Sequence, residues 1–139
     1  MYHIEFSRVI KAPFDKTFAW CTDYQPEDVR FYDEPQARRI LSREKNKVVL
    51  EGVYKDGHKY TATVKLMPPN RWEADVDGDD VKGHVVYTLE NVADGTKFTC
   101  ASDVSYRGKR KNKTLAEAQR DSEAFWDRVI PVLEKEVST

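Results

Sequence analysis

Apolar and polar side chains mostly alternate from Ile4 to Ile10: Ile4, Phe6 and Ile10 fall on one parity, His3, Glu5 and Ser7 on the other. A period of two marks a strand with one covered face. Arg8 shares the covered parity, where a guanidinium needs a carboxylate or an anionic ligand group. A bulge near Val9, turning Arg8 to solvent, is the expected resolution. Pro13 then fits the first position of a helix, since its missing N–H costs nothing there. Along that helix Phe14, Phe18 and Cys21 share one face, and Thr17, Trp20 and Tyr24 the adjacent one. Pro26 limits it, and Glu27 to Phe31 suit a second short turn.

From residue 36 onward strands are separated by turn signals: Lys45-Asn46-Lys47, Asp56-Gly57, Pro68-Pro69-Asn70, Gly78-Asp79-Asp80 and Asp94-Gly95. Asp-Gly between alternating runs is a strong hairpin signal, because both residues tolerate positive φ. Between the turns one parity is apolar: Tyr60, Ala62, Val64 and Leu66; Trp72, Ala74 and Val76; Val85, Tyr87 and Leu89; Phe98, Cys100 and Val104. The other parity carries Lys, Thr, Glu and Asp. This predicts an antiparallel meander of six strands, wet on one side and covered on the other.

The cover is expected from the C-terminus. Thr114-Leu115-Ala116-Glu117 is a capping box that opens a helix to about residue 137. Leu115, Ala118, Ser122, Phe125, Val129, Leu133 and Val137 form its apolar stripe. Pro131 is expected to kink that helix or interrupt its hydrogen bonding.

The 139 residues suit a single domain spanning 1–139. With 23 basic and 24 acidic side chains the net charge is -1, which argues against a nucleic-acid partner held by bulk charge. Cys21 and Cys100 are too few for a disulfide framework and read as buried small hydrophobes in a reducing compartment. MYHIEFSRVI lacks the layout of a signal peptide, and no apolar run reaches the ~18 residues of a membrane span. A soluble, cytoplasmic chain is expected.

The order strand, two short helices, six strands, long helix accompanies a distinctive opening: Ile10-Lys11-Ala12-Pro13, then Phe18-Ala19-Trp20 and Thr22-Asp23. Together these resemble the helix-grip proteins of the START-related (SRPBCC) superfamily, which includes polyketide cyclases and aromatases, birch-pollen-type ligand carriers and chaperone-activator-like domains. The resemblance implies an α+β helix-grip fold: a curved seven-stranded antiparallel sheet, two short helices and a long C-terminal helix across the concave face. It further implies a cavity between sheet and helix for a small, mostly apolar molecule such as a lipid, polyketide-like or aromatic compound. Superfamily members do unrelated things on one scaffold, so a cyclase or aromatase using the same cavity, and a protein-interaction domain with a filled core, stay open.

Phe18, Trp20, Tyr60, Trp72, Tyr87 and Phe125 are the candidate cavity wall. Phe14, Phe18 and Trp20 could equally be core alone. Tyr54, Tyr60, Tyr87 and Tyr106 lie in strands; an inward phenol left unpaired costs roughly 1–3 kcal/mol, which favours water or a polar ligand group beside it. His58 is expected at the rim and His84 on the wet face. His3, His58 and His84 show no metal-ligand spacing, and no metal or other cofactor is expected. Asp75-Val76-Asp77-Gly78-Asp79-Asp80 fails the calcium-loop pattern and reads as a hairpin turn. Arg107-Gly108-Lys109-Arg110-Lys111-Asn112-Lys113 precedes a helix N-terminus, where positive charge is disfavoured. Lys109, Arg110 and Lys111 therefore await an anionic ligand group, a phosphate, a nucleic acid or neighbouring Asp/Glu, unless the loop is simply solvated; without interleaved aromatics, nucleic acid is the poorer fit. Tyr60, Tyr87, His58 or Ser102 could assist proton transfer, and nothing in the sequence singles one out. Catalytic residues and oligomeric state stay unassigned.

Overall fold

The computed structural model describes Met1–Ser138. Strand β1 (Tyr2–Ile10) leads into helix α1 (Phe14–Cys21) and a 3₁₀ turn (Pro26–Phe31). Strands β2 (Gln36–Glu44), β3 (Lys47–Tyr54), β4 (Lys59–Met67), β5 (Arg71–Gly78), β6 (Val81–Val92) and β7 (Gly95–Tyr106) follow, and helix α2 (Leu115–Val137) ends the chain. All seven strands form one antiparallel sheet in the order β1-β7-β6-β5-β4-β3-β2. The architecture is the α+β one expected. Among the described residues no helix is long and apolar enough to cross a membrane.

The sharp exit from β1 has a local cause. Gly95 comes so close to β1 that a Cβ there would lie 2.2 Å from the Ile10 carbonyl oxygen. Its neighbour Thr96, fully buried, donates its hydroxyl to the Ala12 carbonyl at 2.8 Å. Pro13 then acts as the N-cap, one position earlier than its sequence placement, with extended backbone at φ -63° and ψ 146°. Thr17, also fully buried, returns its hydroxyl to the Pro13 carbonyl at 2.8 Å.

The alternating parity holds through the sheet: Ile4, Phe6, Val64, Trp72, Ala74, Leu89, Phe98, Cys100 and Val104 are buried in one core. Helix α2 closes over this face, packing against β1, α1 and the 3₁₀ turn. Its N-cap Thr114 accepts the Glu117 N–H at 3.1 Å, completing the capping box. The buried side is Ala118, Trp126, Val129, Ile130 and Leu133. This corrects the expected stripe: Leu115 is 47% exposed, and the apolar arc turns toward Trp126 and Ile130. Pro131 does not break α2, because it lies on the exposed side, where the Asp127 carbonyl it cannot serve is free to meet water.

Arg8 is a second correction. The β1–β7 register runs unbroken from Tyr2↔Val104 to Ile10↔Thr96, so no bulge turns the side chain out. It stays under α2, donating to Glu123 at 2.8 Å and Asp127 at 2.9 Å. The two carboxylates hold its pKa far above the ordinary arginine value, Asp127 contributing most and Glu123 next.

Candidate functional site

The interior of the sheet is paved with rings. Phe18 of α1 meets Trp72 edge-on at 5.8 Å; Trp72 stacks on Tyr87 at 4.9 Å and 21°; Tyr87 lies 6.0 Å from Phe98. Trp126 descends from α2 onto Phe98 at 4.4 Å and Tyr87 at 5.5 Å. Trp72 and Phe98 are essentially inaccessible, so they form a floor.

Beside this floor is a cavity of about 170 Å³ between β1, β5, β6, β7 and α2. Ile4, Val76, Val85 and Val104 give it apolar walls. Tyr87, Ser102, Tyr106 and Ser122 bring hydroxyls to it, and none of the four makes a side-chain hydrogen bond with another described residue. A second, outer cavity of about 340 Å³ shares Tyr106 and Ser122 with the first. Its wall holds Tyr32, Tyr54 and Phe125, with Tyr32 stacked on Phe125 at 4.6 Å. Its rim is charged, carrying Asp33, Glu34, Arg110, Asp121 and Arg128.

Ion pairs fasten that rim. Arg110 reaches Glu34 at 3.0 Å, and Arg128 donates to the Phe31 carbonyl at 2.8 Å while pairing with Asp33 at 3.3 Å. Lys113 pairs with Asp121 at 2.7 Å, Arg107 with Asp77 at 2.8 Å, and Lys109 with Asp56. Carboxylates of neighbouring loops thus answer Lys109 and Arg110, while Lys111 is exposed. His58 sits at the rim but is enclosed, stacked on Tyr54 at 4.0 Å and 3.1 Å from Asp80. His84 lies on the wet face between Asp75 at 2.7 Å and Glu73 at 2.9 Å. The Gly78-Asp79-Asp80 stretch is the expected turn, with Asp79 accepting the Lys59 N–H at 2.9 Å. Among the described residues no group of His, Cys, Asp and Glu side chains is arranged to hold a metal.

Titration inside the site follows burial. Burial pushes the Tyr87 phenol well above its ordinary value, and Tyr32 likewise. The Cys100 thiol is pushed up to about 12 by burial. These groups are neutral hydrogen-bonding or apolar surfaces at pH 7.

Of the six wall candidates, Tyr87 lines the inner cavity and Phe125 the outer one. Phe18 and Trp72 belong to the aromatic floor behind Tyr87. Trp20 and Tyr60 line neither cavity. Trp20 packs on Phe31 at 6.2 Å and its indole N–H meets Glu136 at 3.3 Å, outside the sheet. Tyr60 lies flat across Gly52, where a Cβ would fall 2.2 Å from its ring, and its hydroxyl donates to Gln36 at 2.7 Å. Tyr32, Ser122 and Trp126 were not among the candidates. Trp126 had a signal, since it stands three and four residues from Val129 and Ile130 on the buried side.

No family model matches the sequence, and neither does any curated protein. Solved structures do match its shape. A protein from Thermus thermophilus superposes with a TM-score of 0.76 at 14% identity, over 97% of this chain and 96% of that one. The Zhui aromatase/cyclase from Streptomyces sp. R1128 gives 0.72 at 14% identity, over 98% and 93%. A START superfamily protein from Mycobacterium smegmatis gives 0.68 at 12% identity, over 99% and 98%. With the seven-stranded sheet under a long terminal helix, these likenesses make the fold of this chain the START-like helix grip.

Proposed function

We propose that the protein holds a small, mostly apolar molecule bearing at least one hydrogen-bond acceptor between the sheet and α2. The observation that carries this is the inner cavity, where Ile4, Val76, Val85 and Val104 surround four hydroxyls that make no side-chain hydrogen bond among the described residues, with His84 and Asp103 also in the lining. Apolar walls with a few convergent polar groups are the usual chemistry of a ligand site. The walls supply affinity by burial, and the hydroxyls orient an acceptor such as a ketone. The outer cavity, sharing Tyr106 and Ser122, is the route in.

A cyclase or aromatase reading would use the same space, and two similar structures carry aromatase/cyclase names. The chemistry of the lining favours holding over proton transfer. Efficient general acids and bases have pKa values near the working pH, whereas burial raises Tyr87, Tyr32 and Cys100 away from it.

Native mass spectrometry of freshly purified protein, with an organic extract analysed in parallel, tests the reading. A reproducible extra mass, lost on denaturation and recovered in the extract, is the expected result. An apo mass together with no saturable binding of prodan, an apolar naphthalene carrying a ketone, would contradict it.

A further inference from the structure

Strand β2 carries a cation on the inner face. Its inward parity is Gln36, Arg38 and Ile40, and the Arg38 side chain is only 6% exposed. Such burial normally demands short, well-aligned partners. Arg38 has none. Its polar contacts are the Gln25 carbonyl at 3.5 Å, the Tyr32 hydroxyl at 3.4 Å and the Asp28 carboxylate at 3.6 Å. All three exceed the 2.7–3.2 Å range of N–H···O bonds. Asp28 is itself engaged, accepting the Gln25 backbone N–H at 2.9 Å. The Tyr60 hydroxyl donates its proton to Gln36 and, beside the guanidinium, helps to hold its charge as a hydrogen-bond acceptor. Among the described residues Arg38 Nε has no hydrogen-bond partner, and neither does the buried Nε2 of Gln36 beside it. By contrast, Arg8 is satisfied by carboxylates at 2.8 and 2.9 Å.

The register of the sheet shapes this corner. Arg38 stands opposite Gly52, which stands opposite Tyr60. With no side chain at Gly52, the Tyr60 ring lies across it and fixes the Gln36 amide by donating to its oxygen at 2.7 Å, leaving the Nε2 donors free. On the other side, one residue separates Arg38 from the outer cavity. Tyr32 lines that cavity and its hydroxyl reaches the guanidinium.

We propose that Arg38 and Gln36 form the anion-accepting end of the ligand site, and that the natural ligand is an amphipathic carboxylic acid. A planar carboxylate matches the guanidinium fork, and its single charge matches one cation whose nearest carboxylate is long and already engaged. The acid enters past Tyr32, leaving its body against the aromatic and apolar walls. This rests on the ligand-binding reading above and narrows its chemical class.

The test compares decanoate and 2-naphthoate, each with its methyl ester, by titration calorimetry at pH 7. The expected result is that the acids bind at least about tenfold tighter than their esters, as a charge-assisted pair requires. In Arg38→Met, of similar length and without charge, that preference disappears while ester affinity stays within about twofold. The wild-type comparison stands alone should Arg38→Met not fold. Equal binding of acid and ester by the wild type overturns the carboxylate site and leaves the cavity reading intact. A preference that survives in Arg38→Met also overturns it. Binding of neither acids nor esters overturns both readings.

Discussion

Replacing Tyr87 by phenylalanine separates what the ring does from what the hydroxyl does. The ring stacks on Trp72 at 4.9 Å and meets Trp126 at 5.5 Å, and both contacts survive in Tyr87→Phe. The hydroxyl makes no side-chain hydrogen bond among the described residues and lines a cavity of about 170 Å³. Its removal breaks no bond within the protein. Stability should change by less than about 0.5 kcal/mol, as for substitutions that disturb no specific interaction. Binding should respond differently. A hydrogen bond to a ligand ketone has a net value of about 0.5–1.5 kcal/mol, so affinity should fall about two- to tenfold. Prodan reports both the affinity, through its emission intensity, and the hydrogen bond, through its emission maximum. Urea unfolding of the apo protein gives the stability arm. A loss of more than about 1.5 kcal/mol in stability with unchanged prodan affinity would refute the reasoning, because the hydroxyl would then be serving the fold.

Two further perturbations probe the frame around the site. Gly52→Ala drives a Cβ into the Tyr60 ring and should cost about 1–3 kcal/mol in urea unfolding. In a Tyr60→Leu background the same substitution should cost almost nothing, and additive costs would mean the ring is not what Gly52 accommodates. On the wet face His84 titrates above its ordinary 6.5, raised first by Asp75 and then by Glu73 against a lowering by burial. His3 is raised too, chiefly by Asp103. A folded pKa above the unfolded one means stabilisation that is full below pH 6.5 and lost as pH rises through the folded value. Melting temperature should therefore fall between pH 6 and 8, and a His3→Gln/His84→Gln protein should show a flatter slope; identical slopes would exclude both groups.

The sheet was legible because its cause is local. Residues such as Val64, Trp72 and Phe98 keep the period of two that one covered face imposes, and turns such as Asp56-Gly57 and Asp94-Gly95 mark where it stops. What failed depends on partners distant in sequence. Arg8 is satisfied by side chains 115 and 119 residues away, so its own strand could not show whether it faced in. The basic loop, for which neighbouring Asp/Glu was one expected answer, finds its counter-charges in Glu34, Asp56 and Asp77, each in a different connection or strand end that its own sequence could not name. Tyr60 shares Tyr87's inward parity yet points along the sheet, because glycines on both neighbouring strands, Gly52 and Gly78, leave it lateral room. Gln36-Ala37-Arg38-Arg39 reads as a polar run, and Arg38 becomes exceptional only once β3 sets Gly52 opposite it. Of the apolar half of the site, Tyr87 and Phe125 were thus readable from parity and helical spacing while Trp20 and Tyr60 were not, and the polar half emerges from register.

The central claim is a place as well as a function: the ligand lies under α2, inside the sheet. Nuclear magnetic resonance of uniformly nitrogen-15-labelled protein titrated with prodan tests this most directly. The account predicts saturable shifts centred on Val85, Tyr87, Cys100, Ser102 and Ser122, with the wet-face amides of Glu73 and Asp75 following only weakly. Shifts confined to the exposed loop around Lys111, or to the wet face, would contradict it.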